Sequence, residues 1–243
     1  MNRSNSDPTY LLLQVRDADD PMQLQEVTTY LEALKCDASR LQIHDLLSGC
    51  PGRELLDQSD IVLIGGSGDY SAAGDGEWLE RAMDAMRELY ELKKPTFASC
   101  WGFQAMARAL GGKTITDLDH AELGTPVVRL TEAGKADPVF AAAGNEFAVF
   151  QGHQDRVSEL PPGAIDLAKS DVSPFQAFTF SDRPIYATQF HPELSRDRYL
   201  ERVRHYPQYV EQITGQSYEE FESKVGDARE SRGLLERFVE YVT

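Results

Sequence analysis

Pro95-Thr96-Phe97-Ala98-Ser99 is a short apolar run, and Cys100-Trp101 follows it at once; Gly102 to Leu110 then repeats apolar residues at helical spacing and stops at Gly111-Gly112. The reading is a buried strand, a sharp corner at Cys100, and a helix. The same alternation extends upstream. Leu11-Leu12-Leu13-Gln14-Val15 reads as a buried strand, and Met22 to Leu34 carries Leu24, Val27, Leu31 and Leu34 at helical spacing. Leu41-Gln42-Ile43 is a short strand, and Ile61-Val62-Leu63-Ile64 a strong one that ends at Gly65-Gly66. Trp78 to Leu92 is a helix. Continuously apolar strands alternating with helices imply a parallel sheet covered on both faces.

Beyond Gly112 the pattern shifts to strands joined by short polar turns: Pro126–Leu130, Glu146–Phe150, Ile165–Ala168, Phe175–Phe180 and Ile185–Phe190. They imply antiparallel strands added beside the parallel sheet. The last fifty residues turn helical, with one stripe at Tyr199, Leu200, Val203, Tyr206, Tyr209 and Val210 and another at Leu234, Leu235, Phe238, Val239 and Val242. The Tyr-rich stripe reads as a packing face. The expected organisation is one domain over 1–195 with a helical extension over 196–243.

The 243 residues carry 24 Lys+Arg against 40 Asp+Glu, a formal net charge of −16, nearly all of it in residues 1–195. Such acidity argues against nucleic-acid partners, since phosphate binding needs clustered cations. No run approaches the ~20 apolar residues that span a bilayer. The first nine residues are polar, and Tyr10–Val15 is too short for a signal-peptide core, so the expected compartment is the reducing cytoplasm. Three cysteines without a CxxC pair make neither a disulfide framework nor a structural zinc site.

Cys100 carries the chemistry. A nucleophile at a strand-to-helix corner is exposed at the carboxyl end of the sheet, and the helix N-terminus favours the thiolate. Gln189-Phe190-His191-Pro192-Glu193 follows another apolar strand. His191 and Glu193, two apart, point the same way in an extended segment, so Glu193 can orient the imidazole that takes the thiol proton. Ile64-Gly65-Gly66-Ser67-Gly68 matches neither a Walker loop nor GxGxxG, and its other use is an oxyanion hole, with the N–H groups of Gly66 and Trp101 as donors. Cys36, Cys50, His44 and His205 read as ordinary side chains, and Asp117, Asp119 and His120 as a solvated acidic loop.

Four segments, in order, resemble the class I glutamine amidotransferases over roughly residues 10–195: Ile64-Gly65-Gly66; Cys100-Trp101-Gly102-Phe103-Gln104; Gly152-His153-Gln154-Asp155-Arg156-Val157; and Gln189-Phe190-His191-Pro192-Glu193. The resemblance implies a flavodoxin-like three-layer α/β sandwich. It implies that Cys100 attacks the glutamine side-chain amide, that ammonia leaves, and that water releases glutamate from a γ-glutamyl thioester. Cys100, His191 and Glu193 would form the triad. Gln104 would contact the bound glutamine, and His153, Gln154 and Asp155 would lie at its amino-acid end, His153 mainly shaping the loop. No metal and no cofactor is required. One departure is Ala98, where the family usually has glycine. No synthetase motif follows His191, so a synthetase partner would be a separate protein receiving the ammonia. The alternative substrate is a γ-glutamyl peptide, and a different class of reading is a catalytically silent regulatory relative.

Overall fold

The computed structural model describes residues 7–243; residues 1–6 of the polar N-terminal stretch lie outside the described residues. The strands are β1 (Tyr10–Val15), β2 (Leu41–Asp45), β3 (Ile61–Ser67), β4 (Thr96–Ser99), β5 (Lys113–Thr116), β6 (Glu122–Gly124), β7 (Val127–Leu130), β8 (Glu146–Ala148), β9 (Gln151–His153), β10 (Asp155–Glu159), β11 (Ala164–Lys169), β12 (Ala177–Phe180) and β13 (Arg183–Thr188). The helices are α1 (Met22–Leu34), α2 (Arg53–Gln58), α3 (Glu77–Glu91), α4 (Trp101–Ala109), α5 (Glu132–Ala136), α6 (Arg196–His205), α7 (Pro207–Thr214), α8 (Tyr218–Lys224) and α9 (Arg229–Val242).

One nine-stranded sheet runs in the order β2-β1-β3-β4-β13-β12-β11-β7-β8. The pairs from β2 to β13 are parallel and those from β13 to β8 antiparallel. The parallel half and the added antiparallel half match the sequence expectation. Because strand side chains alternate faces, Leu11 and Leu13 of β1 enter one core with α3 and α4, while Tyr10 and Leu12 enter another with α1 and α9. Both faces are apolar because both are covered, giving three layers, helix–sheet–helix. A third cluster, built on Phe150, Tyr199, Val203, Val210 and Phe221, lies under α6, α7 and α8. Among the described residues, no helix is long and apolar enough to cross a membrane.

Strand order reverses between β1 and β3, the crevice where open α/β sheets bind ligands at their carboxyl ends. The C-terminal stripe is broken at Pro207, whose missing N–H suits it to start a helix, so Tyr199 to Val210 spans two helices. The segment His153-Gln154-Asp155 joins the end of β9 to the start of β10, two short strands that the polar sequence does not announce. β9 pairs with β6 and β10 with β5.

Candidate active site

Cys100 sits between β4 and α4 with φ 53° and ψ −101°, a backbone region that a residue with a side chain rarely occupies. The corner is held from both sides. The Cys100 N–H donates to the Thr188 carbonyl at the end of β13, 2.7 Å away, and the Cys100 carbonyl accepts from Gln104 N–H, opening α4. Backbone strain of this kind persists only where the surroundings over-determine it, and it clusters at reactive sites.

Glycines let the parts converge. A Cβ on Gly102 would lie 2.8 Å from Ile64 and 3.1 Å from the Ala98 methyl. The Ala98 methyl is therefore accommodated because Gly102 has no side chain. A Cβ on Gly66 would lie 3.0 Å from the His191 ring and 3.8 Å from Cys100 Cβ, so the tip of β3 lies against both.

His191 follows β13, and its Nδ1 is 2.6 Å from Glu193 Oε1, with both side chains buried. Burial opposes charge on the ring, but Glu193 and then the hydrogen-bonded Cys100 thiol push His191 up to about 9. Burial also opposes charge on Glu193, yet His191 first and Arg202 after it hold the carboxyl below its ordinary value. Gln189 Nε2 lies 3.8 Å from the Cys100 sulfur. Cys36 is half-buried and Cys50 exposed, and burial raises both thiols.

The other residues singled out from sequence lie around the same cavity, of about 150 Å³, which Cys100, Trp101, Gln104, His153, Gln154, Asp155 and His191 line. Gln104 donates to the Asp155 carbonyl at 2.7 Å and to Gln189 at 3.3 Å. The Asp155 carboxylate accepts from Thr116 and Ser71. Gln154 reaches out to Gln212 of α7. His153 is buried with Nδ1 facing the Asp155 carbonyl and Nε2 facing Glu122. Glu122 also accepts from Gln176, and Gln176 from Gln151. Both ring nitrogens of His153 are thus taken up by the protein, which suits it to hold the β9–β10 turn. Asp117 is likewise bound to Arg156 and His120.

One wall was not legible in sequence. Leu194, Tyr199, Arg202, Val203, Tyr206, Tyr209 and Ile213 line the cavity from α6, α7 and the turn before them. The stripe read as a packing face is divided: Val210 is buried in the third core, Tyr199 is buried there and touches the cavity, and Tyr206 and Tyr209 face the cavity. Arg16, just after β1, is buried. It binds Asp20 at 3.0 Å and Tyr206 Oη at 3.2 Å and pairs with Glu26 at 3.4 Å. A polar residue directly after an apolar strand was the available signal for Arg16; nothing local marks Tyr206.

A thiol, an imidazole and a carboxylate lie together at the carboxyl edge of a sheet covered on both faces, in an α/β protein. The family profile "Glutamine amidotransferase class-I" matches residues 22–203, about three quarters of the sequence, and the chain belongs to that family. It is 27% identical over 186 residues to the GMP synthase [glutamine-hydrolyzing] of Shewanella loihica, covering 74% of this chain and 32% of that protein. The Nitratiruptor GMP synthase [glutamine-hydrolyzing] is 34% identical over 118 residues, 48% of this chain and 23% of that one. The chain therefore spans about a third or less of these relatives. Among solved structures, a glutamine amidotransferase from Thermotoga maritima superposes with a TM-score of 0.75 at 20% identity, covering 97% of this chain and all of that one. A glutamine amido transferase from Methylobacillus flagellatus gives 0.71 at 18% identity, over 97% of this chain and 95% of that one. These likenesses share the fold.

Proposed function

We propose that the chain hydrolyses the side-chain amide of glutamine. The observation that carries this reading is the convergence of Cys100 and His191 on one cavity, with Gly66 packed against both, Glu193 bonded to the imidazole and Cys100 held at a positive φ. His191 takes the thiol proton, and the Cys100 thiolate attacks the amide carbon. The N–H groups of Gly66 and Trp101 receive the oxyanion. The carbon–nitrogen bond breaks, and the nitrogen leaves as ammonia with the proton His191 held. Water, deprotonated by His191, then attacks the γ-glutamyl thioester, and glutamate leaves as the thiol reforms. Glu193 orients the imidazole throughout. Gln104, Gln154 and Asp155 shape the end of the cavity where the amino-acid part of the substrate lies, and His153 supports them from behind.

Kinship with the GMP synthases supports a synthetase as the acceptor of the ammonia. A second reading, hydrolysis of larger γ-glutamyl amides, is favoured by one observation. A further cleft of about 290 Å³ adjoins the cavity, sharing Arg16, Gly68 and Tyr206 with it, and offers room for a leaving amine bigger than ammonia.

Incubation of the purified protein with glutamine, and separately with a γ-glutamyl dipeptide, tests this. Glutamate release that disappears in Cys100→Ser is expected. No turnover of either substrate, with or without a synthetase, would return the chain to the silent regulatory reading.

A further inference from the structure

Glu193 is fully buried, its Oε1 faces His191, and among the described residues its Oε2 has no hydrogen-bond donor. A buried carboxylate left in this condition tends to take up a proton and so stop orienting the imidazole. Among the described residues, one permanent cation faces it. Arg202 of α6 places Nη1 at 3.8 Å from Glu193 Oε1 and is itself about nine-tenths buried.

The guanidinium is fixed from its other side. Nε and Nη2 both donate to Gln25 Oε1 of α1, at 3.2 and 2.8 Å, while Gln25 Nε2 donates to the Arg198 carbonyl at 2.9 Å. Among the described residues Nη1 has no hydrogen-bond acceptor, so the group left over after the Gln25 clamp is the one turned to the carboxylate. A guanidinium stays charged under all ordinary conditions and keeps its plane when two of its nitrogens are held. With it, the set of thiolate, imidazolium, carboxylate and guanidinium is neutral; without it, the same buried set carries a net negative charge.

We infer that Arg202, supplied by the helical segment beyond residue 195, is a positioning residue that keeps Glu193 ionised and turned toward His191. This rests on the reading of Cys100, His191 and Glu193 given above. The titratable and charged groups facing Glu193 are His191 on its own segment, Arg202 from α6 and Tyr30 from α1, with Cys100 reached through the imidazole and Glu26 through Tyr30. Burial, then Glu193 and Glu26, hold Tyr30 well above the ordinary tyrosine range, so it stays neutral. Arg202 is therefore the permanent positive charge in the group.

The test uses Arg202→Met, Arg202→Lys, Glu193→Gln and the double variant Glu193→Gln/Arg202→Met in the full chain. The first readout is alkylation of Cys100 by iodoacetamide against pH, followed on the Cys100 peptide by mass so that Cys36 and Cys50 do not contribute. It needs no substrate. In Arg202→Met the acid limb of this profile should move to higher pH, because thiolate and carboxylate both lose a cation, and Arg202→Lys should bring it most of the way back. The second readout is glutamate release. Arg202→Met should lower kcat roughly tenfold or more while KM changes by less than about threefold. It should add nothing once Glu193 is Gln. A profile that does not move in a folded Arg202→Met protein overturns the inference, as does a further loss in the double variant. Failure of the glutamine reading would show differently: wild type would turn over no substrate, while the alkylation profile would still respond to Arg202.

Discussion

The cavity has two walls of different origin. One is carried by the sheet: Ser67 at the end of β3, paired with Val15 past a register shift, Cys100 after β4 and His191 after β13, with Gly66 packed against the last two. The other is carried by α6, α7 and the residue between them, where side-chain bonds hold Arg202 to Gln25, Tyr206 to Arg16 and Asp20, and Tyr209 to Asp69. Precision has a different source in each. Strand ends fix reacting groups because the hydrogen-bond ladder fixes them. A helical wall adjusts by small slides of side chains, and it suits substrate fit and charge balance better than bond making.

The largest effect should come from the sheet wall. Cys100→Ser should lower glutamate release by about a thousandfold or more, with a melting temperature close to wild type. A surviving rate would move the chemistry elsewhere and end the comparison. Gly66→Ala comes next. Its methyl would press on the His191 ring, and a displacement of a few tenths of an ångström should reduce kcat by roughly ten- to a hundredfold, read by steady-state kinetics beside a thermal melt that moves little.

Apart from Arg202, which acts through Glu193, the helical wall should respond in KM instead. Tyr206→Phe deletes the hydroxyl that donates to Asp20 at 2.8 Å and accepts from Arg16. It should raise KM about three- to tenfold with kcat nearly unchanged and cost about 1 kcal/mol of stability. A fall in kcat with KM unchanged would show the two walls to be equivalent.

The smallest effect is a pH dependence of stability. His191 has a folded value of about 9, above its unfolded value of about 6.5. Its contribution is therefore fully present below pH 6.5 and is lost as pH rises toward 9. Glu193 is lowered from 4.5, so its contribution is present above that value and is lost as pH falls further. Urea midpoints of wild type and Glu193→Gln should differ most between pH 5 and 6.5 and converge toward pH 9. A constant difference would mean that the pair does not couple to folding.

Much of the sheet wall is legible in the sequence. The apolar runs at Leu11, Ile61, Thr96 and Ile185 match β1, β3, β4 and β13, and Met22–Leu34 matches α1 at both ends. The stop at Gly65-Gly66 reads as a loop, whereas β3 continues through both glycines to Ser67. Neither position has room for a side chain, since a Cβ on Gly65 would overlap the Glu26 carboxylate. Extended pairing there reflects close packing rather than strand propensity. β5, β6, β9 and β10 escaped because three- to five-residue strands with polar side chains, such as Gln151-Gly152-His153, have no hydrophobic period to detect. Arg202 and Tyr206 escaped for another reason. On a helix with an apolar stripe, an arginine is indistinguishable from a solvated one until its neighbours are known.

The alternation of strands and helices, the corner at Cys100 and the spacing of His191 from Glu193 are written in the chain itself, because they are local consequences of hydrophobic period and backbone geometry. Folding alone brings Gly66 against both Cys100 and His191, bonds Arg16 to Tyr206 across 190 positions, and turns Arg202 of α6 toward Glu193. Those contacts join segments far apart in the chain, and burial fixes them once both faces of the sheet are covered.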